Sequence, residues 1–160
     1  MSASKVNMAE SLSSVMMTLQ DRSLLLPTNV IVETTTMSGL IVESREQRWI
    51  LGHKYWRNLR IPVITFEILA GGGLKKHSER ARIIVFNAQT DQEHIPYWGM
   101  LVQDNPRSVQ ISEQNITPSE ENISKAEHMA VEFQERYARI PDLVYVEQQL
   151  LSALGFASNK

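Results

Sequence analysis

Residues 49–64 read Trp-Ile-Leu-Gly-His-Lys-Tyr-Trp-Arg-Asn-Leu-Arg-Ile-Pro-Val-Ile. The stretch has the pattern of two short strands joined by a polar turn at Arg57-Asn58. Pro62 falls inside the apolar second strand. Proline lacks a backbone donor, so a strand tolerates it only at an edge, a first position or a bulge. The segment therefore demands a particular backbone geometry beside an exposed arginine.

Working outward, the same β character continues on both sides. Upstream, Ser23–Leu26 and Asn29–Thr36 are apolar and β-branched around a bend at Pro27, and Gly39–Val42 extends the tendency. Glu43–Arg48 reads as a charged turn between this region and the strand Arg48–Trp56. The second strand is expected over Leu59–Leu69, then a glycine-rich basic loop over Ala70–Ala81. Arg82–Ala88, Ile95–Val102 and Ser108–Ser112 are further strand candidates, and Ile116–Lys125 is polar enough for a loop. Glu127–Arg139 alternates Met129, Val131 and Phe133 with polar residues, the period of one half-buried strand.

Both ends point to helices. Leu143, Val146, Leu150 and Leu154 share a helical stripe, with Asp142 in the first turn and Gly155 placed for a left-handed stop. Met8, Leu12, Val15, Met16 and Leu19 have helical spacing too, so residues 1–20 are expected as an N-terminal arm, partly helical, with its first seven residues disordered. A packing or frayed arm is favoured over a membrane-surface helix because cations are nearly absent there. The sum is a mainly β chain of about nine strands with a C-terminal helix, organised as residues 21–160 after the arm, and its many short strands favour a barrel or a pair of barrels.

The bulk properties narrow the function. At 160 residues the chain can bury one core without staples. Its 16 basic and 18 acidic residues give a net charge of -2, which leaves no electrostatic footprint for nucleic acid or an anionic membrane. The absence of cysteine removes disulfides, thiol nucleophiles and cysteine metal sites. With no long apolar run and no signal-peptide pattern, the expected location is the cytoplasm.

Catalytic chemistry is hard to assemble. His53, His77, His94 and His128 have no metal-ligand spacing and read as surface or strand-edge residues. Gly71-Gly72-Gly73 precedes Lys75 and Lys76 but leads into a strand rather than a helix, so it reads as a connection and not a phosphate loop. There is no GxSxG elbow, and Glu120-Glu121 lies in a polar loop where both carboxylates stay solvated. No cofactor is expected. Trp49, Trp56, Trp98 and Tyr97 could form a base-stacking surface on an OB-type barrel for single-stranded nucleic acid, although packing is the simpler role for them. A small hydrolase assembled from distant residues ranks last. A β-rich domain of this kind works through surfaces, and Tyr55-Trp56-Arg57-Asn58 carries the side-chain types enriched at interaction hot spots.

In its order of segments the sequence resembles the CheW-like domain family of chemotaxis coupling proteins. That family shows an Asn-Leu-Arg-Gly turn before an Ile-Pro-Val-Ile strand; here Arg57 stands at the arginine and Ile61-Pro62-Val63-Ile64 at the strand. Gly52 and Leu24-Leu25-Leu26-Pro27 match upstream, Arg82–Phe86 and Trp98–Val102 downstream, so that the likeness covers roughly residues 21–155. Trp56 replaces a leucine and Asn58 the turn glycine, a substitution that asparagine's tolerance of positive φ permits. Thr65 and Glu67 stand where typical members have Asp and Arg. Tyr55–Glu67 and the late Ile140-Pro141-Asp142-Leu143 are most similar to ChpC-type proteins of the type IV pilus system.

The resemblance implies two intertwined five-stranded SH3-like barrels around a shared core. It further implies a non-enzymatic adaptor that couples methyl-accepting chemoreceptors to a CheA-type histidine kinase, here in twitching motility. Receptor tips, the kinase and other CheW-like proteins are the implied partners; membrane-associated polar arrays are the implied place of recruitment. Arg57 carries over as the contact residue, with Trp56, Asn58 and Arg60 as its neighbours, while Gly52 and Pro62 are assigned to backbone geometry.

Overall fold

The computed structural model describes residues 11–73 and 75–156. Among these residues, twelve strands fall into two sheets of six. The first sheet holds β1 (Leu12–Thr18), β2 (Ser23–Pro27), β9 (Arg107–Ile111), β10 (Ile116–Pro118), β11 (Glu127–Phe133) and β12 (Arg136–Pro141), in the order β10-β11-β12-β2-β1-β9. The second holds β3 (Ile31–Thr35), β4 (Ile41–Val42), β5 (Ile50–Trp56), β6 (Leu59–Ile64), β7 (Arg82–Asn87) and β8 (Tyr97–Val102), in the order β3-β7-β8-β6-β5-β4.

Each sheet must curl. The outermost strands of the first, β9 and β10, are consecutive in the chain and joined through residues 112–115 alone. Those of the second, β3 and β4, are joined through residues 36–40. A few residues can span only about 3.5 Å each, so the two edges of each sheet are drawn together into a barrel. The barrels are interleaved, because the whole second barrel lies between β2 and β9 of the first. The crossing from one to the other is made at Pro27 and a single 3-10 turn, Thr28–Val30. Mainly β, double-barrelled and closed by a C-terminal helix, the architecture is the one expected, with six strands per sheet rather than five.

Apolar side chains form three layers. Met16, Leu25, Val131, Phe133 and Ala138 fill the first barrel, and Trp56, Ile61 and Val85 pack in the second. Between them lies the largest cluster, with Met17 and Leu24 from the first sheet against Ile84, Phe86, Trp98 and Met100 from the second. The described residues hold two α-helices: a single turn between β6 and β7, α1 (Phe66–Leu69), and α2 (Leu143–Ala153) after β12, whose Val146 and Leu150 enter this central layer. The Asp142 carboxylate accepts from the Tyr145 N–H at 3.0 Å, which makes it the N-cap of α2. Gly155 takes φ 85° just beyond the end, the predicted stop.

The proline-bearing strand obeys its edge rule within one strand. Pro62 faces His53 of β5, but the ladder to β8 begins only at Val63. Its missing donor therefore falls where β6 has a neighbour on one side. Gly52 answers a different constraint. A Cβ there would sit 1.9 Å from the Ile41 carbonyl oxygen, so only glycine lets β4 cross so near.

Four expectations change. The helical spacing around Leu12–Leu19 belongs to a strand, β1, which pairs with β2 and β9; Met8 and the rest of residues 1–10 lie outside the described residues. Leu59–Leu69 is a strand only as far as Ile64 and then turns into α1. Glu127–Arg139 is not one strand but the β11–β12 hairpin, turning at Gln134 and Glu135. Ile116–Pro118, expected in a loop, is the short edge strand β10.

Candidate functional site

The β5–β6 hairpin turns on two residues, Arg57 at φ 50° and Asn58 at φ 65°. Positive φ at both central positions matches the twist of a hairpin but disfavours any residue with a Cβ. Two contacts hold Arg57 there. Its guanidinium lies 4.4 Å from the Trp56 ring centroid, and its Nη2 donates to Glu33 Oε1 of β3 at 2.9 Å. The side chain is still 64% exposed, so a fixed cation is presented to solvent at the end of the barrel.

The four predicted residues do not form one surface. Trp56 is 6% exposed and packs its ring 5.0 Å from Tyr97 inside the second barrel, with Nε1 buried and unpartnered among the described residues. It supports Arg57 from beneath. Asn58 is exposed at the tip. Arg60 points elsewhere: its Nη2 donates to Glu43 Oε2 at 3.1 Å, whereas Arg57 reaches Glu33.

Arg60 belongs to a second feature that the sequence did not reveal, a cleft of about 440 Å3 lined by the second barrel, the β7–β8 connection and the residues after α2. Glu43 is its electrostatic centre. The carboxylate takes Arg60, Arg45 Nη1 at 3.3 Å and His53 Nδ1 at 2.5 Å. The His53 hydrogen bond, with Arg45 and Arg60 beside it, holds Glu43 below the ordinary Glu range despite some desolvation. Across the cleft, His94 stacks on Phe156 at 5.0 Å, and its bond to Asp91 raises it above the ordinary His value. Leu59, Ile61, Pro62 and Tyr97 supply an apolar floor.

The remaining candidates are dispersed. His128 lies 3.7 Å from Asp142, and His77 contacts the Ser78 carbonyl. Among the described residues no three His, Cys, Asp or Glu side chains gather as a metal would need. The glycine-rich loop is pinned by Gln20, whose side chain accepts from Lys75 N–H and donates to the Lys75 and Lys76 carbonyls. A base-stacking platform is not built: Trp98 is fully buried against Phe86, and Trp56 is covered. No described helix is long and apolar enough to cross a membrane.

The described residues thus form a double barrel with interleaved strands that holds an arginine out at one end. The profile of the CheW-like domain family matches residues 13–149, and the chain belongs to that family. This is a family of scaffolding proteins, not enzymes. Among solved structures it is similar to the scaffolding protein TtCheW from Thermoanaerobacter tengcongensis, with a TM-score of 0.69 and 19% identity over 82% of this chain and 84% of that one. No curated protein matches it.

The sequence located the turn but not the cleft. Glu43 and Arg45 come from the β4–β5 connection, His53 from β5 and Arg60 from β6, and no short motif links them. The available signal was the pairing register itself: a two-residue turn at 57–58 sets Tyr55 opposite Arg60 and His53 opposite Pro62, which brings His53 and Arg60 onto one face.

Proposed function

We propose that this protein is a cytoplasmic adaptor that couples methyl-accepting chemoreceptors to a CheA-type histidine kinase, working in the chemosensory pathway of type IV pili and twitching motility. The observation that carries the coupling role is the CheW-like domain across nearly the whole chain. The Tyr55–Glu67 pattern, similar to ChpC-type proteins, supports the pilus pathway. Recruitment to polar receptor arrays follows from the coupling role.

Arg57 is the proposed contact. It is exposed, and Trp56 and Glu33 fix its direction, so little side-chain freedom is lost on binding. Asn58 lies beside it at the turn and Trp56 acts as its support, while Arg60, turned toward Glu43, is a separate proposed contact. Co-precipitation with a CheA-type kinase and a receptor cytoplasmic domain tests the reading, and binding to neither refutes it. Arg57→Glu is expected to lower partner affinity by about tenfold or more with an unchanged melting temperature, since exposed ion pairs contribute only ~0–1 kcal/mol to folding. If the variant binds like the parent, Arg57 is a turn anchor and nothing more.

A further inference from the structure

The cleft beside Arg60 has more donors than it has acceptors. One carboxylate, Glu43, serves two guanidinium groups and an imidazole. Arg45 Nε is buried with no acceptor among the described residues, and Arg60 is 57% exposed, with its Nη2 on Glu43 and 3.3 Å from His53 Nδ1. The rest of the lining is apolar, and Leu59 and Phe156 are 39% and 42% exposed there. None of the lining residues belongs to a strand of the first barrel, so the cleft is a surface of the second barrel and the end of α2 alone.

We propose that this cleft is a docking socket for a partner protein segment that carries a carboxylate side chain next to a large apolar one. The carboxylate takes the free edge of the Arg60 guanidinium, whose planar fork matches an acidic group in two hydrogen bonds. The apolar neighbour covers Leu59, Tyr97 and Phe156. The volume lies within the range of pockets that enclose a few side chains or a small ligand, and the charge excess selects the sign of the occupant. The socket goes beyond the coupling role, because its chemistry holds whichever proteins the chain bridges.

The test is a titration of the 15N-labelled full chain with two capped tripeptides, acetyl-Leu-Glu-Phe-amide and acetyl-Leu-Gln-Phe-amide. The Glu peptide is expected to shift the amides of His53, Arg60, Tyr97 and Phe156. It should bind roughly fivefold or more tightly than the Gln peptide at low salt, with the difference shrinking as salt rises. Arg60→Gln, a change at an exposed position, should abolish that preference while leaving the melting temperature unchanged. Equal binding of the two peptides, shifts centred on Arg57 or the first barrel, no shifts, or a preference that survives Arg60→Gln would each overturn the proposal. Neither the kinase nor the receptor enters this experiment, so its failure leaves the coupling role standing.

Discussion

Glu147 tests how the C-terminal helix is locked to the second barrel. It is 4% exposed on α2, and every contact of its carboxylate is a donor from the sheet side. Oε1 accepts from Gln89 N–H at 2.8 Å, Thr90 N–H at 2.9 Å and the Thr90 hydroxyl at 2.9 Å. Oε2 accepts from Gln89 N–H at 3.0 Å and from Trp98 Nε1–H at 2.9 Å. Glu147→Gln keeps the shape but turns one acceptor into an amide NH2 facing other donors. At least one buried donor is then orphaned at ~1–3 kcal/mol, and the bonds that remain lose their charge assistance. A total of ~2–4 kcal/mol follows, or about 4–16 °C in melting temperature at this chain length. Urea denaturation followed by tryptophan fluorescence and by circular dichroism measures it. Trp98→Phe in a double-mutant cycle isolates the indole's share, expected at ~1–2 kcal/mol. A Glu147→Gln variant within about 0.5 kcal/mol of the parent, the range of ordinary surface changes, would refute the account.

Three further outcomes are expected. Gln134 and Glu135 hold φ 53° and 65° in the β11–β12 turn, so Gln134→Asn with Glu135→Gly should raise stability by ~1–2 kcal/mol in thermal melts. Gly52→Ala should cost ~1–3 kcal/mol and speed hydrogen exchange at the Glu43 amide, which bonds Leu51 O, because backbone atoms of Ile41 and Val42 block the new methyl. Glu67 is fully buried and accepts from Gln20 N–H, with Asp21 and Arg22 nearby; desolvation raises its pKa above the ordinary Glu range. A carboxyl raised in the folded state favours folding below its unfolded pKa, and that stability is lost as pH rises through the folded value. Glu67→Gln should flatten this decline in stability measured from about pH 4 upward.

Much of the fold was legible because period-two patterns, Pro62 and Gly155 report local geometry directly. The misreadings have local causes too. Leu12–Thr18 looked helical because β1 is buried on both faces: Val15 and Met17 enter the central layer while Met16 enters the first barrel. A strand covered on both sides carries a continuous apolar run, in which alternation is lost. The β11–β12 turn was invisible because Gln134-Glu135 has neither the glycine nor the asparagine that marks such a turn. In the site, Arg57-Asn58 announced its turn through Asn58, whereas the cleft depends on register and on the return of α2 with Phe156. Glu147 was visible in hindsight as an acid set within the stripe of Leu143, Val146 and Leu150, a position where a carboxylate must find partners.

The interleaving of the barrels has a consequence for how the molecule forms. β3 to β8 are contiguous, so the second barrel can assemble as its own segment of chain emerges. The first barrel cannot. β1 pairs with β9 some 95 residues later, and β2 with β12 later still. During synthesis the apolar pair β1–β2 must wait, with Met16, Met17 and Leu24–Leu26 uncovered on one face or the other, until the second barrel is complete and β9–β12 arrive. Such long-range closure belongs to the slow end of folding rates, in milliseconds to seconds. It makes the N-terminal hairpin the part of the chain most exposed to misassociation and to chaperone capture. A circular permutant that places residues 11–27 after α2 would shorten that wait for β1–β2, and should refold faster than the parent to the same two barrels.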